Sequence, residues 1–322
     1  MKILIVDDEP LFCELLKAEL SACGHTNVHS VNSGAEAISS IKTAETPFDC
    51  ALLDIDMPGI DGIELCRLLR FEPLTADIPL VMVTARSEVE SVDKAFAAGA
   101  TDYLTKPIDR RDLRGRMTMA SAMARERVAR KTTLANNKKT EQFPFEEACR
   151  LEAEYACIDY LALQNYVLKL GSMRMFNHVA IGFQVANARE LFLTLDNSAF
   201  RETMSDIAEV IVEATMSGNP ITSYAGSGFF VVLFDRHSAT CPERLADQIE
   251  QRLQILNGWY AQLGQLPVRI KIGAPISRGL VSLRSPVEIL EKALINTKKP
   301  ITTLGGLQEE DAIAQIQSQP GE

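Results

Sequence analysis

The first third of the chain alternates short apolar runs with helical patterns. Ile3–Val6, Cys50–Asp54, Leu80–Thr84 and Tyr103–Leu104 are apolar stretches bounded by acids, Pro or Gly, and His29–Val31 supplies one further strand. Between them, Leu11–Ala22, Ala35–Thr43, Gly62–Phe71 and Val89–Ala98 place apolar residues at three- and four-residue spacing, the period of a helix with one buried face. Alternation of this kind predicts an α/β fold, a doubly wound, parallel five-stranded sheet with helices on both faces. In such folds the side chains that bind and react gather at the carboxyl ends of the strands.

The next stretch, Arg111–Asn136, reads as one long helix with Leu113, Met117, Ala120, Ala124 and Val128 along one face. A seam this narrow cannot stabilise a lone exposed helix, so it predicts a partner helix from a second copy, a parallel homodimer. Arg110, Arg111, Arg114, Arg116, Arg125, Arg127, Arg130 and Lys131 make the helix strongly basic. Without a helix-turn-helix or an aromatic stacking pattern, these read as a solvated face rather than a grip on nucleic acid. The polar run Thr132–Gln142 followed by Pro144 predicts a hinge, with a second helix over Glu146–Leu170.

From residue 158 the pattern changes. Strand-like runs at His178–Ala186, Ile221–Ala225, Phe229–Phe234 and Val268–Ile276 are separated by helical patterns near Ser198–Met216, Pro242–Ala261 and Pro286–Thr297. Ile221–Phe234 reads as a hairpin through Gly226-Ser227-Gly228. The order predicts an α+β domain with a central hairpin. The expected division is therefore residues 1–125, a helical connector over 126–157, a second domain over 158–305 and a flexible tail over 306–322.

Composition narrows the function classes. The 322 residues carry 43 acids against 33 Lys and Arg, a net charge of −10, which argues against nucleic acid or an anionic membrane as a partner. No apolar run approaches the ~18 residues of a membrane span, and Asp7 and Asp8 interrupt the N-terminal apolar run too early for a signal peptide. The seven cysteines are scattered with no C-x-x-C pair, and the four histidines make no metal-ligand spacing with them. That usage predicts reduced thiols, a cytoplasmic protein and no structural zinc.

The predicted strand ends bring candidate chemistry together. Asp7 and Asp8 follow the first strand, Asp54 ends the third, Thr84 ends the fourth and Lys106 follows the fifth. Three carboxylates on one edge repel one another unless a cation neutralises them. Oxygen-only ligands favour Mg²⁺. A hydroxyl (Thr84) and an ammonium (Lys106) opposite them suit a phosphoryl group carried by one acid.

Ile3–Glu9 (ILIVDDE), Leu53–Gly62 (LDIDMPGIDG), Val83–Ala85 (VTA) and Ala98–Pro107 (AGATDYLTKP) resemble, in order, the receiver domain of two-component response regulators, over about residues 1–125. The resemblance implies a flavodoxin-like fold with Asp54 as phosphoacceptor. It also implies Mg²⁺ held by Asp7, Asp8, Asp54 and the backbone carbonyl of Asp56, with Thr84 and Lys106 on the phosphoryl group. Tyr103 matches the aromatic switch residue, and the Lys106–Pro107 bond is expected to be cis. A histidine kinase or phosphotransfer protein is the implied phosphoryl donor.

The second half resembles the GGDEF domain of diguanylate cyclases over about residues 158–300. Tyr224–Leu233 (YAGSGFFVVL) is similar to the signature hairpin that normally reads R-Y-G-G-D-E-F, so the signature falls on Ala225, Gly226, Ser227, Gly228 and Phe229. Asp159–Tyr166 (DYLALQNY) resembles the family's opening D-x-L-T-G-L-x-N-R segment, one residue short; Ile272–Ala274 echoes the S-I-G-x-A strand and Leu290–Lys298 the closing helix. The departures matter most. Ser227 and Gly228 stand where the family has Asp-Glu, Gln184 where it has its first metal Asp, and Phe192 and Arg201 where it reads guanine. The family's inhibitory R-x-x-D is absent from Ser217–Tyr224. The chain is thus expected to be no enzyme: a phosphorylated, cytoplasmic regulator whose degenerate cyclase-like output domain acts by binding a downstream protein. Nucleotide or cyclic di-GMP sensing is the alternative, and an active cyclase lacks the acids it requires.

Overall fold

The computed structural model describes residues 1–85, 89–136, 145–149, 151, 157–215, 220–236, 242–277 and 285–305. Contacts divide the chain into one unit of Met1–Gln142 with Ile158–Lys169, and another of Phe143–Cys157 with Leu170–Glu322. This differs from the expected cut at 158, because the segment beginning there packs with the first unit.

In the first unit β1 (Ile3–Val6), β2 (Val28–Val31), β3 (Cys50–Asp54), β4 (Leu80–Thr84) and β5 (Asp102–Thr105) form one parallel sheet in the order β2-β1-β3-β4-β5. The helices are α1 (Pro10–Ala22), α2 (Gly34–Thr43), α3 (Gly62–Phe71), α4 (Val89–Ala97) and α5 (Arg110–Asn136). The pleat sorts the side chains. Leu4, Val6, Ala51, Leu53, Leu80 and Met82 join the core with Leu65 and Ala95, while Ile3, Ile5, Cys50, Leu52, Val81 and Val83 join the other with Leu16 and Leu113. Ser33 and Asp61 cap α2 and α3 by accepting from Glu36 and Glu64 N–H, which fixes the starts of the helices that follow β2 and β3.

The α5 seam packs against a different partner from the helix expected. Leu113, Met117, Ala120 and Ala124 are buried, and the first three pack in the first unit's core with Ile3, Ile5 and Leu104. The apolar face therefore has an internal partner, the sheet itself, and is not free for a second copy. The Val128 side chain lies outside the described residues. Two of the arginines are engaged as well: Arg110 pairs with Glu19 at 2.6 Å and Arg116 with Asp102 at 2.7 Å.

The expected helix over Glu146–Leu170 is not formed as such. Phe145–Cys149 is turn and coil, β6 covers Cys157–Ile158, and the helix α6 runs Tyr160–Arg174 with a kink at Gly171, whose φ is +66°. Asp159 sets the start by accepting from Leu161 N–H at 2.8 Å.

The second unit contains β7 (His178–Val185), α7 (Ala188–Thr194), α8 (Asn197–Thr215), β8 (Ile221–Gly226), β9 (Phe229–Asp235), α9 (Pro242–Gln262), β10 (Ile270–Ile272), β11 (Ile276–Ser277), α10 (Glu288–Asn296) and β12 (Thr302–Leu304). Its strands run in the order β12-β10-β7-β9-β8, with β11 also on β7, and these pairings are antiparallel. Ile181, Phe183, Phe230, Val232 and Phe234 pack with Phe200, Ile207, Ile249 and Leu253 of α8 and α9. The run Val268–Ile276 splits into two strands because Pro275 has no N–H for the ladder. The tail 306–322 lies outside the described residues.

Candidate functional site

The carboxyl edge of the parallel sheet gathers the acids expected there. Asp7 is 1% and Asp54 4% exposed, whereas Asp8 is exposed; carboxylate oxygens of the three lie within 4.8 Å of one another. Among the described residues this is the one such trio of possible metal ligands. Oxygen-only donors at this spacing fit a hard divalent cation such as Mg²⁺. Asp56, two residues past Asp54, is exposed, and its backbone N–H bonds the Asp54 carboxylate.

Lys106 closes the cluster. Its Nζ lies 2.7 Å from Asp7 Oδ2 and 2.9 Å from Asp54 Oδ1, and 4.0 Å from the centre of the Phe12 ring. Burial disfavours the Lys106 charge, yet the hydrogen bonds it donates to Asp7 and Asp54 outweigh that and hold the ammonium above its usual range. Burial raises the Asp54 carboxyl above the ordinary carboxylate value, against the pull of Lys106. Thr84 is fully buried at the end of β4, and its carbonyl accepts from Lys106 N–H at 2.7 Å, which holds the two strand ends together. The Lys106–Pro107 bond is cis.

Gly62 makes this edge possible. A Cβ there would overlap the Asp54 carbonyl oxygen and crowd Ile55 Cα, so only glycine lets α3 start so close to the Asp54 strand end. Phe12, Cys13 and Asn32 also shape the site, and single-sequence reasoning missed them. Cys13 Sγ and Asn32 Nδ2 both donate to the Asp7 carbonyl, at 3.5 and 3.2 Å. The available signal was positional: Asn32 directly follows β2, and Phe12 and Cys13 lie in the first turn of the helix that follows Asp7 and Asp8.

Tyr103 is half-buried on β5, its ring edge-on to Phe96 at 6.3 Å. Asn165, Tyr166 and Lys169, from the segment read as the opening of the second domain, pack in the first unit. Tyr166 donates to Asp93 at 2.7 Å, Asn165 to the Thr101 carbonyl at 3.1 Å, and Lys169 Nζ lies 4.7 Å from the Tyr103 ring centre.

In the second unit the hairpin expected over Ile221–Phe234 is formed by β8 and β9. Gly226, Ser227 and Gly228 all have positive φ, 85°, 53° and 77°. Ala225 sits at a register irregularity between Tyr224 and Gly226, and Phe229 opens β9 opposite Gln184. The chain's own segment lies over the turn: Ser227 N–H donates to the Phe145 carbonyl at 2.6 Å, and a Cβ on Gly226 would overlap the Glu146 carbonyl. A Cβ on Gly228 would overlap Ala188. Phe192 stacks among Phe145 and Phe200, with ring centres at 5.1 and 5.2 Å, while Arg201 and Lys298 are exposed. Phe192 is thus part of an apolar ring cluster and Arg201 lies on the surface.

Residues 3–118 match the family described as the response regulator receiver domain. The chain is 40% identical over 116 residues to the phosphate regulon transcriptional regulatory protein PhoB of Rhizobium meliloti, covering 36% of this chain and 50% of that protein. It is 34% identical over 117 residues to the DNA-binding dual master transcriptional regulator RpaA of Synechocystis, covering 36% of this chain and 47% of that protein. The chain therefore spans about half the length of these relatives. The chemotaxis response regulator CheY4 of Vibrio cholerae, a solved structure, is 27% identical with a TM-score of 0.34 and covers 37% of this chain and 97% of that one. By sequence match and by the geometry of its acidic edge, residues 3–118 are a receiver domain of the response regulator type.

Proposed function

We propose that this chain is a two-component response regulator phosphorylated on Asp54. The observation that carries this reading is the acidic trio with Lys106 bridging Asp7 and Asp54. An Asp54 carboxylate oxygen attacks the phosphorus of a donor phosphoryl group; the O–P bond forms as the donor's bond to phosphorus breaks, and its electron pair leaves with the donor. A histidine kinase, a phosphotransfer protein or a small phosphodonor supplies that group. Asp7, Asp8, Asp54 and the Asp56 carbonyl would hold Mg²⁺, which when bound neutralises charge on the phosphoryl oxygens and the acids. Lys106 and Thr84 then take the phosphoryl oxygens, and the displaced Lys106 carries the change along β5 to Tyr103.

In this reading the second unit is a degenerate cyclase-like output domain that signals by protein contact from the cytoplasm. Its support is chemical: Ser227, Gly228 and Gln184 bring no negative charge where Mg²⁺ and a triphosphate need it, and Phe145–Glu146 lies over the turn. Pairing of two copies belongs to the reading, through a surface other than the α5 seam. No helix among the described residues is long and apolar enough to cross a membrane.

The test is direct. With Mg²⁺ and acetyl phosphate the full chain should gain one hydroxylamine-labile phosphoryl group, and Asp54→Ala should abolish it; undiminished labelling of that variant rules the assignment out. Incubation of beryllofluoride-activated protein with GTP and Mg²⁺ or Mn²⁺ should yield no cyclic di-GMP above a boiled control.

A further inference from the structure

The first unit carries a second built surface besides the acidic edge. Tyr103 on β5, Asp93 and Phe96 on α4, and the Thr101 carbonyl before β5 form one face. The N-terminal part of α6 covers it. Tyr166 is 2% and Asn165 6% exposed, and Tyr166 donates to Asp93 while its ring meets Phe96 at 5.1 Å. Phe96 in turn meets Tyr103, whose ring lies under the Lys169 ammonium. Burial, with Arg116 nearby, holds Lys169 below the usual amine range, so its charge is placed there at a cost that the ring partly offsets.

We propose that residues Tyr160–Lys169 are an internal partner for the Tyr103 face, docked while Asp54 is unphosphorylated and loosened once it is phosphorylated. The proposal rests on the reading of Asp54 as phosphoacceptor. Its logic is that both events use β5. Lys106, immediately after β5, is tied to Asp7 and Asp54 in the docked arrangement. A phosphoryl group on Asp54 adds charge and acceptor oxygens, so Lys106 must change partners and the short strand carrying Tyr103 moves with it. Tyr103 then leaves the position in which Lys169 and Phe96 hold it. Because linkage is reciprocal, whatever weakens the docked helix must favour the phosphorylated arrangement by the same factor. The helix is thus an occupant of the switch face supplied by the chain itself, and a foreign partner for that face must displace it.

The experiment uses the full chain with Mg²⁺ and beryllofluoride as a phosphoryl stand-in. Calorimetry first reads binding: one equivalent bound by wild type and none by Asp54→Ala supports the phosphoacceptor reading, and no binding by wild type removes that reading and this proposal with it. Hydrogen exchange then reads the helix. Amides within 161–169 should exchange at least ~5-fold faster with beryllofluoride, and not in Asp54→Ala. Tyr166→Phe, which keeps the ring but removes the donor to Asp93, and Lys169→Met should each bind beryllofluoride about 5-fold tighter. Leu168→Ala, on the exposed side of the same helix, should leave the affinity unchanged. Beryllofluoride binding with unchanged or slower exchange in 161–169, or with unchanged affinity in both variants, overturns the proposal. So does an equal gain in Leu168→Ala.

Discussion

Lys106 holds together two carboxylates that would otherwise repel, and it is only 17% exposed. Removing one member of a buried ion pair leaves the other charges uncompensated, at a cost of roughly 3 kcal/mol. Lys106→Met should therefore lower the urea unfolding free energy by about that amount in EDTA. Millimolar Mg²⁺ should restore part of it, because the same acids are the candidate ligands. A loss identical with and without Mg²⁺ would argue against a cation site. A second residue reads out pH. The Cys50 thiol is pushed up to about 12 by burial and then by Asp49, from a usual 9.0. Its native pKa lies above the unfolded one, so its contribution is complete below pH 9 and is lost as pH rises toward 12. At pH 10 the loss is on the order of 1–2 kcal/mol. Urea midpoints measured from pH 8 to 10 should fall more steeply for wild type than for Cys50→Ala.

At the scale of elements, two joints hold the receiver edge in place. Gly62→Ala forces a methyl against the Asp54 carbonyl, so α3 or the β3 end must shift. Overpacking of this kind costs about 1–3 kcal/mol, and the displaced Asp54 should lose most of its acetyl phosphate labelling at a temperature where the variant is still folded. The other joint is Arg70 at the end of α3. Its guanidinium donates to the carbonyls of Gly99, Ala76 and Ile78 at 2.7–2.8 Å and to Thr101 Oγ1 at 3.0 Å, tying the loops before β4 and β5 together. A lysine cannot make that fork. Arg70→Lys should lower stability by on the order of 2–3 kcal/mol, read as a drop in thermal midpoint. Neither joint was foreseen as such, since a glycine opening a helix and an arginine in a helix end look ordinary until the backbones they meet are in place.

For the whole molecule, the α5 seam decides between a dimer element and a core element. Met117 is 1% exposed inside the receiver core. Met117→Asp should therefore lower the unfolding midpoint by an amount independent of protein concentration, since a buried unpaired charge acts within one chain. A loss that vanished at high concentration would mean that the seam is shared between copies after all.

The chain order, the five strands of the first unit and its acidic edge were legible in the residues, because each depends on local periodicity and on the rule that parallel strands end together. Asp7, Asp54, Thr84 and Lys106 lie at strand ends whatever the packing around them. The central hairpin was legible for the same reason: Gly226 and Gly228 advertise positive φ. Where packing partners had to be chosen, the sequence was silent. An apolar stripe such as Leu113–Met117–Ala120 satisfies a sheet as well as a sister helix, and only tertiary structure decided for the sheet. Asp159–Tyr166 likewise reads as the opening of the second domain, yet Asn165 and Tyr166 find their hydrogen bonds on Thr101 and Asp93. Helical periodicity tells which face is buried; what buries it is a long-range choice that no local pattern encodes.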